Sequence, residues 1–285
     1  MEKEYAVKID EYIGKMPSLP VSSSKVLEVC DNMNVSAADL NHVISLDPVL
    51  VGRVLKLLNS AYYGLDQKVT SLVRAIIMLG INTIKNLTLS SAILGALPAN
   101  KNLKGIDIEG YWRHSLCVGV IAKLLAKKRG VESKLHEEYF TAGLLHDIGK
   151  IVINAALPEN YLITVSLSAE DRIPLIAMED KELGLNHCTV GQRVAKAWKL
   201  GGPVADAIIH HHETEYFGIY CDILNCVILA NYFASVNNIG FSGNRNPEMP
   251  ADSIWNSLGI NENAFAEIET VVNEEINKAK VFLKI

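Results

Sequence analysis

In the second half of the chain, histidines and one aspartate fall where the surrounding pattern calls for apolar side chains. His146 and Asp147 stand side by side in Gly143-Leu-Leu-His-Asp-Ile-Gly-Lys-Ile-Val152, an otherwise small and apolar stretch. His114 shares a helix face with Val118, Ile121 and Leu125, at intervals of four, seven and eleven. His187 lies in Glu182-Leu-Gly-Leu-Asn-His-Cys-Thr-Val-Gly191, and His210, His211 and His212 run together before Glu213. Asn231 sits among Val227, Ile228, Leu229, Ala230 and Phe233. Imidazole and carboxylate are ligand types for iron, manganese, zinc and nickel. A helical bundle presents such groups from facing helices to an interior cavity. The competing reading is a set of hydrogen-bonded polar residues in a helical core, which a single histidine would favour. Several histidines and a carboxylate on successive core-facing segments favour a divalent transition metal.

The elements that must hold these residues read as helices almost throughout. Val26, Val29, Cys30 and Met33 give a first apolar stripe, and Ser36 is placed to cap a helix carrying Leu40, Val43 and Ile44. Asp47-Pro48 starts another, with aspartate as cap and proline in the first helical position. It ends near Asn59-Ser-Ala-Tyr-Tyr-Gly64. Helices are expected over Leu72–Leu79 and Ile84–Leu97, separated by Gly80, with Pro98 to Gly105 as a connection. Tyr111–Lys128, Glu137–Ile153, Val204–His212, Ile223–Val236 and Ala264–Leu283 follow, and Phe241 to Pro250 reads as a loop. No internal repeat or low-complexity tract is evident. The fold class is all-α, a helical bundle.

The 285 residues are 49% hydrophobic and 21% charged, enough for a sizeable core. A net charge of −5 argues against general nucleic-acid binding, which needs clustered lysine and arginine. The densest basic run, Lys123 to Arg129, reads as a solvated helix face. Five cysteines without CxxC spacing suggest free thiols in a reducing compartment. The start lacks a secretory apolar segment, and no apolar run reaches the ~18 residues of a membrane span. The expectation is a cytoplasmic protein that binds neither DNA nor membrane.

Several stretches resemble the HDOD family, the HD-related output domain of bacterial signalling proteins. They are Met16-Pro-Ser-Leu-Pro20, Asp47-Pro-Val-Leu50, Leu58-Asn-Ser-Ala-Tyr-Tyr-Gly64, Ala75-Ile-Ile-Met-Leu-Gly80, and Trp198-Lys-Leu200 with the histidine triplet. The HDIGK element points to the wider HD phosphohydrolase superfamily. The resemblance implies an N-terminal extension (1–14), an N-terminal helical lobe (15–100), an HD-like metal-pocket lobe (105–240) and a C-terminal helical tail (251–285). It implies a first metal set of His114, His146 and Asp147, with Asn231 where the superfamily has aspartate. It implies a second set, similar to that of HD-GYP phosphodiesterases, of His187, His211 and His212; the Glu182-to-His187 spacing also resembles that type. The GYP signature itself is absent.

Asparagine offers one neutral carbonyl oxygen where aspartate brings a full charge and two oxygens. Asp222 cannot stand in, because nine residues along a helix is about half a turn away. One metal is therefore expected, or two with the first held weakly. Iron or manganese is favoured by the resemblance and the donors, with zinc or nickel admitted. Lys150 is either a contact to a ligand phosphate or a surface lysine near a helix end. Glu213 reads as a partner for an imidazole or as an exposed cap. Asn59 and Ser60 are expected to make local bonds that close a helix, and Trp198 to be core. Cys188 adjoins His187, but adjacent helix positions diverge, so it is not counted as a ligand. The expected function is a bacterial signal-transduction module that meets signalling proteins in trans and binds a divalent metal. A phosphate-bearing ligand, a nucleotide or cyclic dinucleotide, is the further expectation. The alternative is a metal-dependent phosphohydrolase acting on such a compound.

Overall fold

The protein is described by a computed structural model covering residues 2–30, 32, 34–97, 103–213, 215–260 and 262–284. In chain order the helices are α1 (Glu2–Lys15), α2 (Val21–Cys30), α3 (Ala37–Ser45), α4 (Pro48–Leu58), α5 (Leu72–Leu79) and α6 (Ile81–Ala96). Then come α7 (Ile108–Lys128), α8 (His136–Leu145), α9 (Ile148–Ala156), α10 (Pro158–Asp171) and α11 (Leu175–Leu183). The last are α12 (His187–Ala197), α13 (Gly202–His210), α14 (Cys221–Val236), α15 (Asp252–Leu258) and α16 (Glu262–Ala279), before a 3-10 turn over Lys280–Lys284. Among the described residues there is no strand, and the fold is all-α.

Local chemistry starts the helices where the sequence indicates. Ser36 and Asp39 cap α3 reciprocally, the Ser36 hydroxyl accepting from the Asp39 amide and the Asp39 carboxylate from the Ser36 amide. Asp47 accepts from the Leu50 amide at 3.0 Å ahead of Pro48. Asn59 closes α4 with bonds to Leu55 and Val69, and Ser60 bonds Leu57, so both act locally. Gly80, at φ 86°, turns α5 into α6. Most of the expected connection from Pro98 to Gly105 lies outside the described residues, at 98–102.

Two expectations need correction. Glu137–Ile153 is not one helix: it breaks into α8 and α9 at His146–Asp147. The His146 ring bonds the Gly143 carbonyl at 2.7 Å. In a continuous helix that carbonyl would serve the amide four residues on, so the side chain competes with the ladder. The run from Lys123 to Arg129 is not a solvated face throughout. Lys123 reaches the Glu137 carboxylate and the Tyr62 hydroxyl, its ammonium 4.3 Å from the Tyr62 ring centre. Arg129 pairs with Asp222 at 3.3 Å, which also places Asp222 away from the histidines.

Helices α2–α6 form one packed group and α7–α14 another, joined where α6 lies against α8. Ser90 and Thr141 share a buried hydrogen bond there. Helix α1 packs on α9 and α12, and α16 on α7, while Phe282 packs against both Tyr62 and Phe140. No single described helix is long and apolar enough to cross a membrane; the bent pair α5–α6 is apolar because α6 lies in the core.

Helices α7 and α8 approach closely through two glycines. A methyl group built on Gly143 would stand 2.8 Å from the Gly119 Cα, and one on Gly119 would stand 2.7 Å from the Phe140 carbonyl oxygen. This contact sets how closely His114 on α7 approaches His146 beyond α8. Gly143→Ala should force the helices apart and cost about 1–3 kcal/mol. Urea denaturation measures it, and an unchanged midpoint would remove the contact from this role.

Candidate metal centre

Five helical segments deliver the histidines and Asp147 to one buried spot. His114 comes from the middle of α7 and Asn231 from α14, and the two side chains meet, Nε2 to Oδ1, at 3.0 Å. His146 and Asp147 form the corner between α8 and α9. His187 is the first residue of α12, fixed by a reciprocal cap between Asn186 and Thr189. His211 and His212 follow the end of α13, which stops at His210, two residues short of the expected boundary. His114, His146, Asp147, His187 and His211 are buried, while Asn231 and His212 are half-buried.

Asp147 lies between two groups. Its Oδ2 is 3.3 Å from His146 Nε2 and 3.9 Å from His114 Nε2. Its Oδ1 is 3.3 Å from His211 Nε2 and 3.6 Å from His187 Nε2. The His212 ring lies against both, 4.5 Å from the His211 ring and 5.0 Å from that of His187. The first and second sets implied by the sequence are thus adjacent and share one carboxylate.

The outer bonds orient the rings. His146 Nδ1 donates to the Gly143 carbonyl and His211 Nδ1 to the Ala207 carbonyl, at 2.7 and 2.8 Å. A carbonyl can only accept, so in the neutral ring Nε2 carries the lone pair and faces Asp147. His187 Nδ1 meets the buried Glu179 carboxylate at 2.5 Å, and Tyr161 donates to the same carboxylate at 2.7 Å. This arrangement, with the far ring nitrogen anchored, is how proteins prepare histidine as a metal ligand. The inward atoms His146 Nε2, Asp147 Oδ1 and His212 Nε2 have no hydrogen-bond partner. His187 and His211 point Nε2 at Nε2 across 3.3 Å. Buried polar atoms without partners are costly, and a divalent cation would satisfy them all. The donor set therefore fits a metal.

Electrostatics agree. Burial holds His114 down at about 3, against the pull of Asp147. Burial, then the Lys150 charge, holds His187 well below the usual range; burial and His211 do the same for His212. These rings stay neutral. Burial pushes His211 down, but Cys188 and Asp147 outweigh it and leave it raised. Burial would raise Asp147, yet its interactions with His146 and Lys150 keep it well below the carboxylate range. Glu179 is pushed up to about 7 by burial, opposed by Lys150 and Tyr161.

Some residues differ from expectation. Lys150 is not a surface lysine: it is 2% exposed, and its ammonium lies 2.8 Å from Asp147 Oδ2. Glu182 is exposed, and Glu179, one turn earlier, is the carboxylate that holds His187. Its signal was present in the sequence as a charge between Leu175 and Leu183 on the buried stripe of α11. Glu213 serves the half-buried His210 at 2.7 Å rather than a buried ring. Trp198 is core, donating to the Pro17 carbonyl. Cys188 is buried with Sγ 3.9 Å from His211 Nδ1, so adjacency to His187 does not take it out of the cluster. Gly149 supplies the closest backbone approach: a methyl group there would stand 1.9 Å from the His187 carbonyl oxygen. The site opens to a cleft of about 60 Å³, floored by His211, His212 and Asn231 and walled by Tyr232 and Met249.

The HDOD domain model matches residues 16–214. The chain belongs to the HDOD family. Asn231 lies beyond the matched range. An HDOD domain protein of unknown function from Geobacter sulfurreducens has the same fold, with TM-score 0.72, 25% identity, and coverage of 98% of this chain and 97% of that one. A protein from Shewanella amazonensis SB2B, provisionally named a phosphohydrolase, is similar with TM-score 0.71, 26% identity, and coverage of 96% and 98%. An uncharacterized protein of Treponema pallidum (strain Nichols) is 28% identical over 229 residues, 79% of this chain. This HDOD chain spans 43% of the length of that relative.

Glu179→Gln removes the anchor of His187 and should weaken metal binding by about 10- to 100-fold. Isothermal titration measures it, and unaltered affinity would contradict the anchoring role. In the metal-free protein, unfolded His114 takes up a proton below 6.5 while the folded form resists until about 3. The stability this residue contributes is present above 6.5 and lost as pH falls towards 3. Glu179 works in the opposite sense, so the isolating comparison is His114→Gln. That variant should lose less stability than the wild type over this range, and an equal loss would contradict the assignment.

Proposed function

We propose that this HDOD chain is a regulatory module of bacterial signalling whose HD-type pocket binds a divalent transition metal and does not hydrolyse phosphoesters efficiently. The observation that carries the reading is the shared Asp147 with its two sets of inward-facing donors. The first position is His114, His146, Asp147 and Asn231; the second is Asp147, His187, His211 and His212. Nitrogen and oxygen donors suit iron or manganese, and imidazole also accepts zinc or nickel.

Three features support binding over turnover. Asn231 brings no charge to the first position, so an ion there is poorly neutralised and held more weakly than one at the second. A bound ion acts as a Lewis acid, and weak binding at the first position limits that action. Lys150, the residue the resemblance places against a substrate phosphate, is committed to Asp147 and lies away from the cleft lining. The cleft, about 60 Å³, is well below the roughly 300 Å³ of an ordinary small-molecule site. A nucleotide or cyclic dinucleotide would meet the metal only after the loop at 241–250 moves. Partner proteins supply the signalling input in this reading.

The sharing of one carboxylate between two donor sets favours a second reading, a metal-dependent phosphohydrolase of the HD type. The provisional name of the Shewanella relative is in keeping with it. Incubation with cyclic dinucleotides and nucleoside phosphates, with Mn²⁺ or Fe²⁺ supplied, should give no turnover. Turnover that Asp147→Ala abolishes would establish the hydrolase instead. Asn231→Asp should tighten the first position by at least about tenfold, read by metal titration. Unchanged affinity would contradict the charge argument.

A further inference from the structure

Neighbouring residues on a helix diverge by about 100°, yet His187 and Cys188 both meet His211. They do so because His211 lies just past the end of α13, with one ring edge turned to each. Its Nε2 is 3.3 Å from His187 Nε2, and its Nδ1 is 3.9 Å from Cys188 Sγ. All three residues are buried, and one donor atom from each lies within 4.8 Å of the others. Around a zinc-class ion with bonds of about 2.0–2.3 Å, tetrahedral donors stand roughly 3.5 Å apart. Because His211 Nδ1 donates to the Ala207 carbonyl, its donor atom is Nε2, and Cys188 Sγ must rotate from the Nδ1 edge towards Nε2 to bring the trio into range. Asp147 Oδ1, near both imidazole nitrogens and without a hydrogen-bond partner, makes a fourth donor.

Charge gives the physical reason for a sulfur here. With Asn231 neutral, Asp147 is, among the described residues, the one carboxylate whose oxygens face the inward imidazole nitrogens, and Lys150 already offsets it. Glu179 touches His187 from outside, so it adds charge without a donor atom. A thiolate would place a second negative charge directly on the ion.

We infer that Cys188 is a thiolate ligand at the second metal position, together with His187, His211 and Asp147, and that this position takes a zinc-class ion. The inference rests on the metal reading of the pocket proposed above. As the sulfur–metal bond forms, the S–H bond breaks and its proton passes to solvent. His212, facing the cleft, is then a fifth neighbour and not a required ligand. Thiolate donors select zinc, cobalt and iron over manganese and magnesium.

Cobalt titration of the metal-free protein tests this without reference to activity. Visible d–d bands should appear together with a near-ultraviolet thiolate-to-cobalt charge-transfer band. Cys188→Ser should abolish the charge-transfer band, keep d–d absorption, and weaken Zn²⁺ binding by more than about 10-fold, the lower bound for losing even an outer partner. Cys226→Ser, a buried thiol on α14, should leave the band intact. A charge-transfer band that survives Cys188→Ser, or d–d bands with none in the wild type, would overturn the cysteine ligand and leave the metal pocket standing. No cobalt absorption at all would overturn both. Should Cys188→Ser fail to fold, X-ray absorption of the zinc-loaded wild type decides: a sulfur shell at about 2.3 Å supports the ligand, and nitrogen and oxygen alone refute it.

Discussion

A carboxylate with no solvent exposure must have its charge answered from within the protein, and Asp147 is such a group. The structure answers it with Lys150 on one oxygen and imidazoles around both. Removing two charges from water is unfavourable unless other groups complete their bonding. Among the remaining groups, His146, His187 and His211 have their outer nitrogens held by backbone carbonyls or Glu179. The result is a polar centre in which His146 Nε2, Asp147 Oδ1 and His212 Nε2 lack hydrogen-bond partners while the outer nitrogens of His146, His187 and His211 are satisfied. That asymmetry separates a cation site from an ordinary buried network, in which inner atoms pair with one another.

The helices around this centre are arranged to reach it. Gly119 and Gly143 let α7 and α8 approach, and Gly149 lets the start of α12 come against α9. The break between α8 and α9 then turns His146 and Asp147 inward together. The polar centre and the close-packed glycines belong to the same part of the chain because each needs the other. Only a tight backbone approach brings side chains from five segments to one carboxylate.

Much of this was legible in the residues. Helical periodicity, the caps at Ser36 and Asp47, and the histidines on apolar faces are local signals, and all of them correspond to the structure. What was not legible depended on three-dimensional adjacency. The helix break at His146 follows from a side chain taking a backbone carbonyl, which periodicity does not record. The sequence leaves Lys150 open between a phosphate contact and a surface lysine, and its burial against Asp147 depends on the helices packed around both. Glu182 has the spacing to His187 that the family resemblance singles out, whereas Glu179, one turn from both Leu175 and Leu183, shares their buried face of α11. Cys188 was set aside on a valid rule about one helix, and it is the position of His211 on another that defeats the rule.

We propose that Asp147 organises a pocket for a divalent metal. Elemental analysis of the protein purified without added metal tests this most directly, with Asp147→Ala treated alike. At least one equivalent of transition metal per wild-type chain is expected, and its loss from the variant. A wild-type protein that carries no transition metal, or a variant that keeps all of it, would contradict this role of Asp147.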